Sequence, residues 1–411
     1  MSRTSAPISA GPASEGVPAW LSADAAAWAS ARPGPWARPL WSVLALLATV
    51  VAAIALEPVP VCSEAAPCGP DWTGMVQVGL AVGLLYWFAR LPELTLVAAP
   101  VLAVVVAWEE LPATGWASRS ANLAVIAALG LGWAAAWART AARRRQRQLV
   151  DRAATAGQRR LKSAGPPRRL LPIAAGLVLC ALAVGAIVVG SRGVAEDERQ
   201  AARATRTEAV VAGRTDLTLE VRAQGGRRIT VDALFPEDYR LGTTVVVLEG
   251  DGSWRRLAAE PYDAVGPQLL ALAVGLPGLS LVTTGLLARR RATALRRGAA
   301  PALRVLKRVD VQGRSWVYAA DDTGRSTPLF SCVCVPELPE ADEREEAEEL
   351  EEGTGVVQDR IDGVPFAYAG AREAVMIGAP YEGGELAFVT TDGDGTSVVD
   401  HTVGPVRPTP R

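Results

Sequence analysis

The chain contains 411 residues, of which 50% are hydrophobic and 21% are charged, and its formal net charge at pH 7 is −1. This composition is too apolar for an ordinary soluble protein of this length. The near-zero net charge conceals basic clusters beside apolar blocks and an acidic run near the end of the chain. Lys162 and Lys307 are the only lysines among many arginines, and Ala, Gly and Val are abundant. These biases are typical of high-GC bacterial genomes, so we expect an actinobacterial source.

The first segment, 1–39, is rich in Pro, Gly, Ala and Ser. Such a composition predicts a disordered cytoplasmic leader. Leu21 and Trp28 would share one face of a helix in the stretch from Pro18 to Ser30, so a short helix at a membrane surface is the alternative.

Six apolar blocks have the length that crosses about 30 Å of hydrocarbon as a helix. They are Leu40–Leu56, Met75–Phe88, Leu94–Trp108, Asn122–Trp137, Leu171–Val189 and Ala264–Leu287. We therefore predict a membrane all-α helical bundle with six transmembrane helices: a four-helix transmembrane region over 40–138, a fifth helix over 171–190 and a sixth over 264–288. Tryptophans near the block ends fit interfacial anchors, namely Trp72, Trp87, Trp108, Trp116 and Trp137.

Arginine in the short connections sets the predicted orientation, because cytoplasmic loops retain positive charge. The segment 139–170 is a basic linker and the segment 289–297 is also basic, so both are expected in the cytoplasm, whereas the loop 57–74 has no basic residue and is expected outside. The predicted location is the bacterial cell membrane, multi-pass, with both termini cytoplasmic. Ala53-Ile54-Ala55 resembles a signal-peptidase site, but the weakly basic flank favours a retained helix. Contact with the lipid bilayer explains the arginine clusters, and nucleic acid is not an expected partner.

The segment 191–263 changes from a charged, helix-compatible start to short alternating stretches, which predict an extracytoplasmic β module. The expected strands are Glu208–Val211, Leu217–Val221, Arg228–Val231 and Thr243–Leu248, with turns at Gly225-Gly226 and Gly250-Asp251-Gly252. The stretch from Tyr239 to Leu248, followed by Asp251-Gly252-Ser253-Trp254, resembles small bacterial membrane modules of unknown function. In these modules a helix pair brackets an extracytoplasmic β domain. The resemblance spans about Leu171–Leu287 and implies an architecture without implying an activity.

The last region, 289–411, is predicted to be a cytoplasmic β-rich domain, so that the six helices are accompanied by two small β-rich soluble domains. Its strand-like pieces are Arg304–Val309, Ser315–Ala319, Pro328–Val335, Val364–Tyr368, Ala374–Ile377 and Glu385–Val389. An acidic segment at 340–352 interrupts them and is expected to be a solvated helix or loop. The alternative is a surface that docks a partner or the arginine clusters of the same chain. The Asp-rich turns at 321–324 and 392–395 lack a complete calcium loop, so hairpin turns are favoured.

The five cysteines fall into three groups. Cys62 and Cys68 lie in the first outside loop and predict a disulfide, with a metal pair as the alternative. Cys180 lies in the fifth helix and is expected to pack there. Cys332 and Cys334 form a C-x-C motif whose thiols would point to one face of a strand, so metal or redox chemistry is conceivable. With His401 as the only histidine, a buried strand is the favoured interpretation.

The sequence contains no motif that predicts catalysis, a cofactor or a metal centre, and the chain is not expected to be an enzyme. Gly79 and Gly83 form a G-x-x-x-G spacing that suits helix packing or self-association. The expected function is a non-enzymatic envelope scaffold, assembly factor or sensor with protein partners. The alternative is a small-solute transporter or channel, which the shortage of charge within the apolar blocks disfavours.

Overall fold

The computed structural model describes residues 16–57, 63, 67–113, 115–155, 157–159, 170–234, 236–260, 262–310, 312–322, 324, 327–336, 371–391, 397–402 and 406–409. Cys62, the acidic segment 340–352, the expected strand Val364–Tyr368 and the turn 392–395 lie outside these residues. The chain divides into two compact units. The first comprises Met1–Ala37, Trp137–Arg169 and Gly285–Arg411, and the second comprises Arg38–Ala136 and Leu170–Thr284.

Six helices of the described residues are long and apolar enough to cross a membrane, which agrees with the six predicted blocks. They are α2 (Pro39–Leu56), α3 (Trp72–Arg90), α4 (Pro92–Ala113), α5 (Trp116–Ala153), α6 (Leu170–Arg203) and α7 (Val265–Arg297). A further helix, α1 (Ser22–Ser30), precedes them. Large apolar side chains on α2 stay exposed, including Val51 at 57% and Ile54 at 65%. A helix of a soluble domain would bury such a face.

Three helices, α5, α6 and α7, continue well beyond the predicted apolar blocks at their C-terminal ends. Helix α5 extends to Ala153, so the basic segment 139–170 is not simply a linker: its first half is the end of this helix. Ala, Arg and Gln in this stretch all favour a helical backbone. Helix α6 continues to Arg203, which places the first residues of the predicted β module in a helix, and α7 continues to Arg297.

Small residues allow the helices of the second unit to pack closely. A Cβ atom on Gly79 of α3 would lie 2.4 Å from Leu272 Cδ2 of α7, and one on Gly176 of α6 would lie 2.7 Å from the carbonyl oxygen of Gly278 of α7. Helix α7 passes through Pro277 without a break, so the Gly275-Leu276-Pro277-Gly278 stretch does not interrupt it. These contacts bring helix backbones together as small residues do in membrane helix pairs.

Five antiparallel strands follow α6 and form the sheet of the β module. They are β2 (Thr205–Arg214), β3 (Thr218–Ala223), β4 (Arg228–Asp232), β5 (Thr244–Glu249) and β6 (Arg255–Leu257), in the spatial order β4-β3-β2-β5-β6. Alternate residues face a core that includes Leu219, Val221 and Val247, each 0% exposed. Gly225 and Gly226 both adopt positive φ in the three-residue connection between Ala223 and Arg227 of the β3–β4 hairpin, a conformation that glycine adopts readily. The predicted β module is therefore present.

The second sheet has eight strands and contains a closed barrel. Its strands are β1 (Gln158–Arg159), β7 (Ala300–Val309), β8 (Arg314–Tyr318), β9 (Phe330–Pro336), β10 (Arg372–Ile377), β11 (Ala387–Thr391), β12 (Ser397–Thr402) and β13 (Arg407–Pro408). The pairing β7-β10-β11-β12-β9-β8 returns to β7 and closes the barrel, while β1 and β13 pair at its rim. Alternate side chains fill the interior, as in other small barrels.

The prediction of a disordered leader is wrong for residues 17–37. Ala19 pairs with Arg304 of β7, and the Trp20 backbone N–H donates to the Arg304 carbonyl oxygen at 2.9 Å. Trp20 is 1% exposed and Trp28 is 0% exposed, because both indoles enter the barrel core beside Phe330. The composition of this segment predicts disorder, although the segment contains three tryptophans. Two of them, Trp20 and Trp28, are buried, and a buried indole removes a large apolar area from water.

Candidate functional site

The barrel of the first unit has two chemically different ends. At one end Trp20, Trp28 and Phe330 pack together, with ring centroids 5.6 to 6.4 Å apart. Strands β7 and β9 both run away from this end, and their inward residues change from apolar to polar along the way. Leu303 and Val305 are followed by Lys307 on β7, and Phe330 is followed by two cysteines on β9. The polar end is called the barrel mouth below.

A buried ion pair lies at the barrel mouth. Lys307 is 6% exposed, and its ammonium donates to Asp400 Oδ2 of β12. The same ammonium lies 5.1 Å from the ring centroid of Phe388, a distance at which a cation is attracted to the aromatic face. A lysine in a barrel interior is costly unless it is paired, so this pair fixes the position of a positive charge.

Cys332 and Cys334 lie beside this charge on the inward face of β9. Their Sγ atoms are 3.6 Å apart and share a hydrogen bond. Cys332 is 3% exposed and Cys334 is half-buried. Ser315 of β8 pairs with Cys332 in the sheet and is also buried. The prediction that both thiols face the same side of a buried strand is confirmed, and the two thiols adjoin a paired ammonium.

The two thiols differ in acidity. The hydrogen bond from Cys332 is the main effect that lowers the pKa of Cys334; burial opposes it, and the positive charge of Lys307 adds to it. The same hydrogen bond, followed by burial, raises the pKa of Cys332. Cys334 is therefore the thiol that ionises first, and Cys332 keeps its proton and donates it. A thiolate is the nucleophilic form of cysteine.

A second polar site lies at the opposite end of the barrel, where the loop between β10 and β11 meets the ends of α5 and α7. Arg139 donates to Glu382 Oε1 at 2.8 Å, and Arg143 donates to Glu382 Oε2 at 3.5 Å. Arg291 donates to the carbonyl oxygen of Gly383 at 2.6 Å. Arg147 stacks over the Tyr381 ring at 4.3 Å. We call this set of contacts the arginine clasp.

Glu382 is the anionic centre of the arginine clasp. Burial alone would raise its pKa, but the charges and hydrogen bonds of Arg139 and Arg143 outweigh that effect and hold the pKa of Glu382 below its usual range. Arg139 is 5% exposed, so this arginine is not available to lipid. Exposed arginines of the same helices, Arg144, Arg145, Arg289 and Arg290, remain on the outer surface. Topology and lipid attraction were therefore an incomplete explanation of the arginine runs.

The other residues singled out in the sequence have local structural roles. Cys68 is disulfide-bonded, and since Cys62 lies outside the described residues, their pairing stays a prediction. The Cys68 backbone N–H donates to the Ala259 carbonyl oxygen at 3.0 Å, which joins the loop before α3 to the β module. Gly79 packs against α7 of the same chain, as described above, and Gly83 lies against the side chain of Trp87. Gly79 therefore contributes to helix packing within the chain, and self-association through the G-x-x-x-G spacing stays a prediction.

Two further outcomes concern chemistry and anchoring. Across the residues that the structure describes, no group of three or more His, Cys, Asp or Glu side chains could hold a metal ion. Trp87 was expected at a membrane interface, but it is 1% exposed and donates its indole N–H to Ser280 Oγ of α7 at 2.9 Å. Trp108 and Trp116, which were also expected at an interface, are 79% and 83% exposed.

Comparisons of the chain with protein-family models, with curated proteins and with solved structures found no match. The resemblance of Leu171–Leu287 to bacterial membrane modules therefore remains an expectation. The geometry of the barrel mouth and of the arginine clasp is the remaining guide to function.

Sequence reasoning missed Lys307, Asp400 and Glu382. A signal for Lys307 was present, because it occupies the third inward position after Leu303 and Val305 in a chain that uses arginine almost everywhere else. Asp400 and Glu382 had no such signal. Their partners are 93 and 243 residues distant in the chain, so only the fold brings them together.

Proposed function

We propose that this protein is a non-enzymatic scaffold of the bacterial cell membrane, with both termini in the cytoplasm. In this proposal the six apolar helices cross the bilayer, the five-stranded β module lies outside the cytoplasm, and the barrel lies inside it. The arginine-rich ends of α5 and α7 favour this orientation, because positive charge is retained on the cytoplasmic side. Protein partners would bind the two β domains, and lipid would surround the helices.

The observation that carries the proposal is the arginine clasp. Helix α5 is continuous from its apolar part to Arg139 and Arg143, and both arginines bind Glu382 of the barrel. Trp28 and Val150 add apolar contacts to the same core. Within the first unit these contacts hold the loop between β10 and β11 against the arginine-rich ends of α5 and α7, so that the barrel and the helix ends form one structured domain. A structured binding domain is what a scaffold or an assembly factor requires.

Accessibility labelling in intact cells tests the proposed arrangement. Single reporter cysteines at Ser253 of the β module and at Gln312 of the barrel, both exposed, would be introduced into a chain with its native cysteines replaced. A membrane-impermeant maleimide should label only the reporter at 253 in intact cells and both reporters after lysis. Labelling at 312 in intact cells would contradict the proposed orientation.

Solute flux separates the scaffold from a transporter. The purified chain, reconstituted in vesicles of mixed zwitterionic and anionic lipid, should release entrapped ions and small sugars no faster than empty vesicles. Saturable, protein-dependent flux would overturn the scaffold proposal in favour of a transporter or channel.

A further inference from the structure

We propose that Cys332 and Cys334 form a reversible dithiol–disulfide site at the barrel mouth, and that its reaction partner is a low-molecular-weight disulfide. The proposal is independent of the scaffold function. It rests on the position of the two thiols, on the paired ammonium beside them, and on a change of strand pairing at this point of β9.

The thiols have the geometry of an internal redox pair. Their Sγ atoms are already in contact at 3.6 Å, and Cys334 is the more exposed of the two. Residues i and i+2 of a strand have Cα atoms about 6.6 Å apart, near the upper limit of about 6.8 Å for a disulfide. An internal disulfide would therefore form with strain. Strained disulfides have high reduction potentials and are easily reduced, which is a property of reversible pairs.

The strand pairing of β9 changes between its two cysteines. Among the described pairings, β8 accompanies β9 from Phe330 to Val333, β13 pairs with Phe330 and Ser331, and β12 accompanies β9 from Cys334 onward. A C-x-C disulfide requires a local bend of the strand, and the described ladder of β9 is interrupted between the two cysteines.

Lys307 determines which chemistry the thiols favour. Its ammonium stabilises a thiolate at Cys334, and this effect increases nucleophilicity at neutral pH. The same positive charge opposes binding of a metal cation between the sulfurs. Asp400 holds the ammonium in place, and its negative charge, which raises the pKa of Cys334, partly opposes the effect of the ammonium.

The reaction proceeds in two exchange steps. The Cys334 thiolate attacks one sulfur of the small disulfide, a mixed disulfide forms, and the other sulfur leaves as a thiolate. Cys332 then loses its proton to that departing thiolate and attacks Cys334 Sγ. The internal S–S bond forms as the mixed bond breaks, and the second small fragment leaves as a thiolate that takes up from water the proton that Cys334 released on ionisation. Two protein thiols lose two electrons and two protons, and one small disulfide becomes two thiols.

The test uses the purified full-length chain in detergent, equilibrated in buffers with different ratios of glutathione disulfide to glutathione. After acid quenching and alkylation, mass spectrometry should show the peptide containing Cys332 and Cys334 two hydrogens lighter in oxidising buffers, and reversal in reducing buffers. Cys180 is also unbonded and serves as an internal control that should remain alkylatable. Thiols that stay alkylatable across the whole series would overturn the proposal, and so would a glutathione adduct that never converts to the internal disulfide.

Variants identify the role of each residue. Cys332→Ser should trap glutathione on Cys334, whereas Cys334→Ser should slow the first exchange by at least about tenfold, since each unit of pKa changes the thiolate fraction tenfold. Lys307→Gln should move the pH profile of Cys334 alkylation to higher pH, and Lys307→Arg should restore it. Near-ultraviolet circular dichroism confirms that each variant is folded. An unchanged alkylation profile in a folded Lys307→Gln chain would contradict the assigned role of the ammonium.

Discussion

Trp28 donates its indole N–H to the carbonyl oxygen of Pro380 at 2.8 Å and thereby joins α1 to the loop between β10 and β11. The two residues are 352 positions apart in the chain. This loop also carries Glu382, so the N-terminal helix and the arginine clasp hold the same segment. The end of the barrel opposite the barrel mouth is therefore built from residues near the beginning, in the middle and near the end of the chain.

Replacement of Trp28 by alanine should destabilise the first unit strongly. The side chain is 0% exposed and contacts Trp20 and Phe330, and large-to-small changes of buried aromatic residues cost about 3–5 kcal/mol. Thermal unfolding of the purified chain, followed by near-ultraviolet circular dichroism, measures the effect. Trp36→Ala is the matched control, because Trp36 is 51% exposed and its removal should change stability by less than about 0.5 kcal/mol. Equal effects of the two changes would contradict the packed position of residues 17–37.

The stabilisation from Glu382 should depend on pH in one direction. Its folded-state pKa is lowered, so the contribution is present above the ordinary glutamate pKa of about 4.3 and is lost as pH falls through the lower folded value. The Glu382 side chain is 45% exposed, so solvent screens its ion pair with Arg139. Exposed ion pairs contribute roughly 0–1 kcal/mol to stability. Hydrogen exchange of residues 378–386 should increase in Glu382→Gln at neutral pH.

Glu373→Gln is the matched control for the arginine clasp. Glu373 pairs with Arg304 at 3.2 Å and is 53% exposed, but it does not belong to the 378–386 loop. Exchange in that loop should be unchanged in this control. If hydrogen exchange of residues 378–386 were the same in Glu382→Gln as in the unaltered chain, the arginines would not be holding this loop.

The contact between α6 and α7 should be sensitive to one methyl group. A Cβ on Gly176 would meet the Gly278 carbonyl oxygen at 2.7 Å and the Val282 nitrogen at 2.8 Å, which are backbone atoms that cannot rotate away. Gly176→Ala should therefore lower stability by about 1–3 kcal/mol. Gly185→Ala on the same helix meets nothing within 4 Å and should be neutral or slightly stabilising, since alanine favours helices more than glycine does. Unfolding in detergent compares the two, and matching results would refute the close crossing.

Asp197 of α6 and Arg256 of β6 form a buried ion pair at 3.2 Å, with side-chain exposures of 10% and 16%. Arg256→Met should be strongly destabilising, by about 3–5 kcal/mol, because it leaves a buried carboxylate without its partner. Adding Asp197→Asn should recover most of that loss. The exposed Glu196–Arg199 pair on the same helix is the control, and its removal should cost no more than about 1 kcal/mol. A double variant no more stable than Arg256→Met would contradict direct pairing.

The sequence predicted the local features of this fold well and its long-range features poorly. Apolar block length located all six helices, and alternation located strands such as β3 and β10, because both signals depend on neighbouring residues. Helix ends were less predictable, since the arginines after Trp137 suit a helix and a polar linker equally. The closure of the barrel could not be read from the strands, because the pairing of β8 with both β7 and β9 is not a property of any one segment.

The candidate site also combines local features, which the sequence predicted, with long-range features, which it did not. The pattern C-x-C placed both thiols on one face, which required only strand periodicity. Lys307 lies on β7, Asp400 on β12 and the two thiols on β9, so only the folded barrel brings the ammonium and the carboxylate beside the thiols. Trp20 and Trp28 lay in a segment whose composition predicted disorder, yet their burial depends on a barrel that is encoded almost 300 residues later.

The closed circuit of β7 to β12 also determines where another polypeptide could add a strand. In that circuit each described strand has partners on both sides, whereas the edge strands of the two described sheets are β4 and β6 in the β module and β1 and β13 beside the barrel circuit. Edge strands can recruit other chains, and charged residues on them discourage unintended pairing. Arg228 and Asp232 at the two ends of β4 provide this protection and leave Thr230 between them. Binding by strand addition would therefore take place at one of these edges and not on the six strands of the circuit.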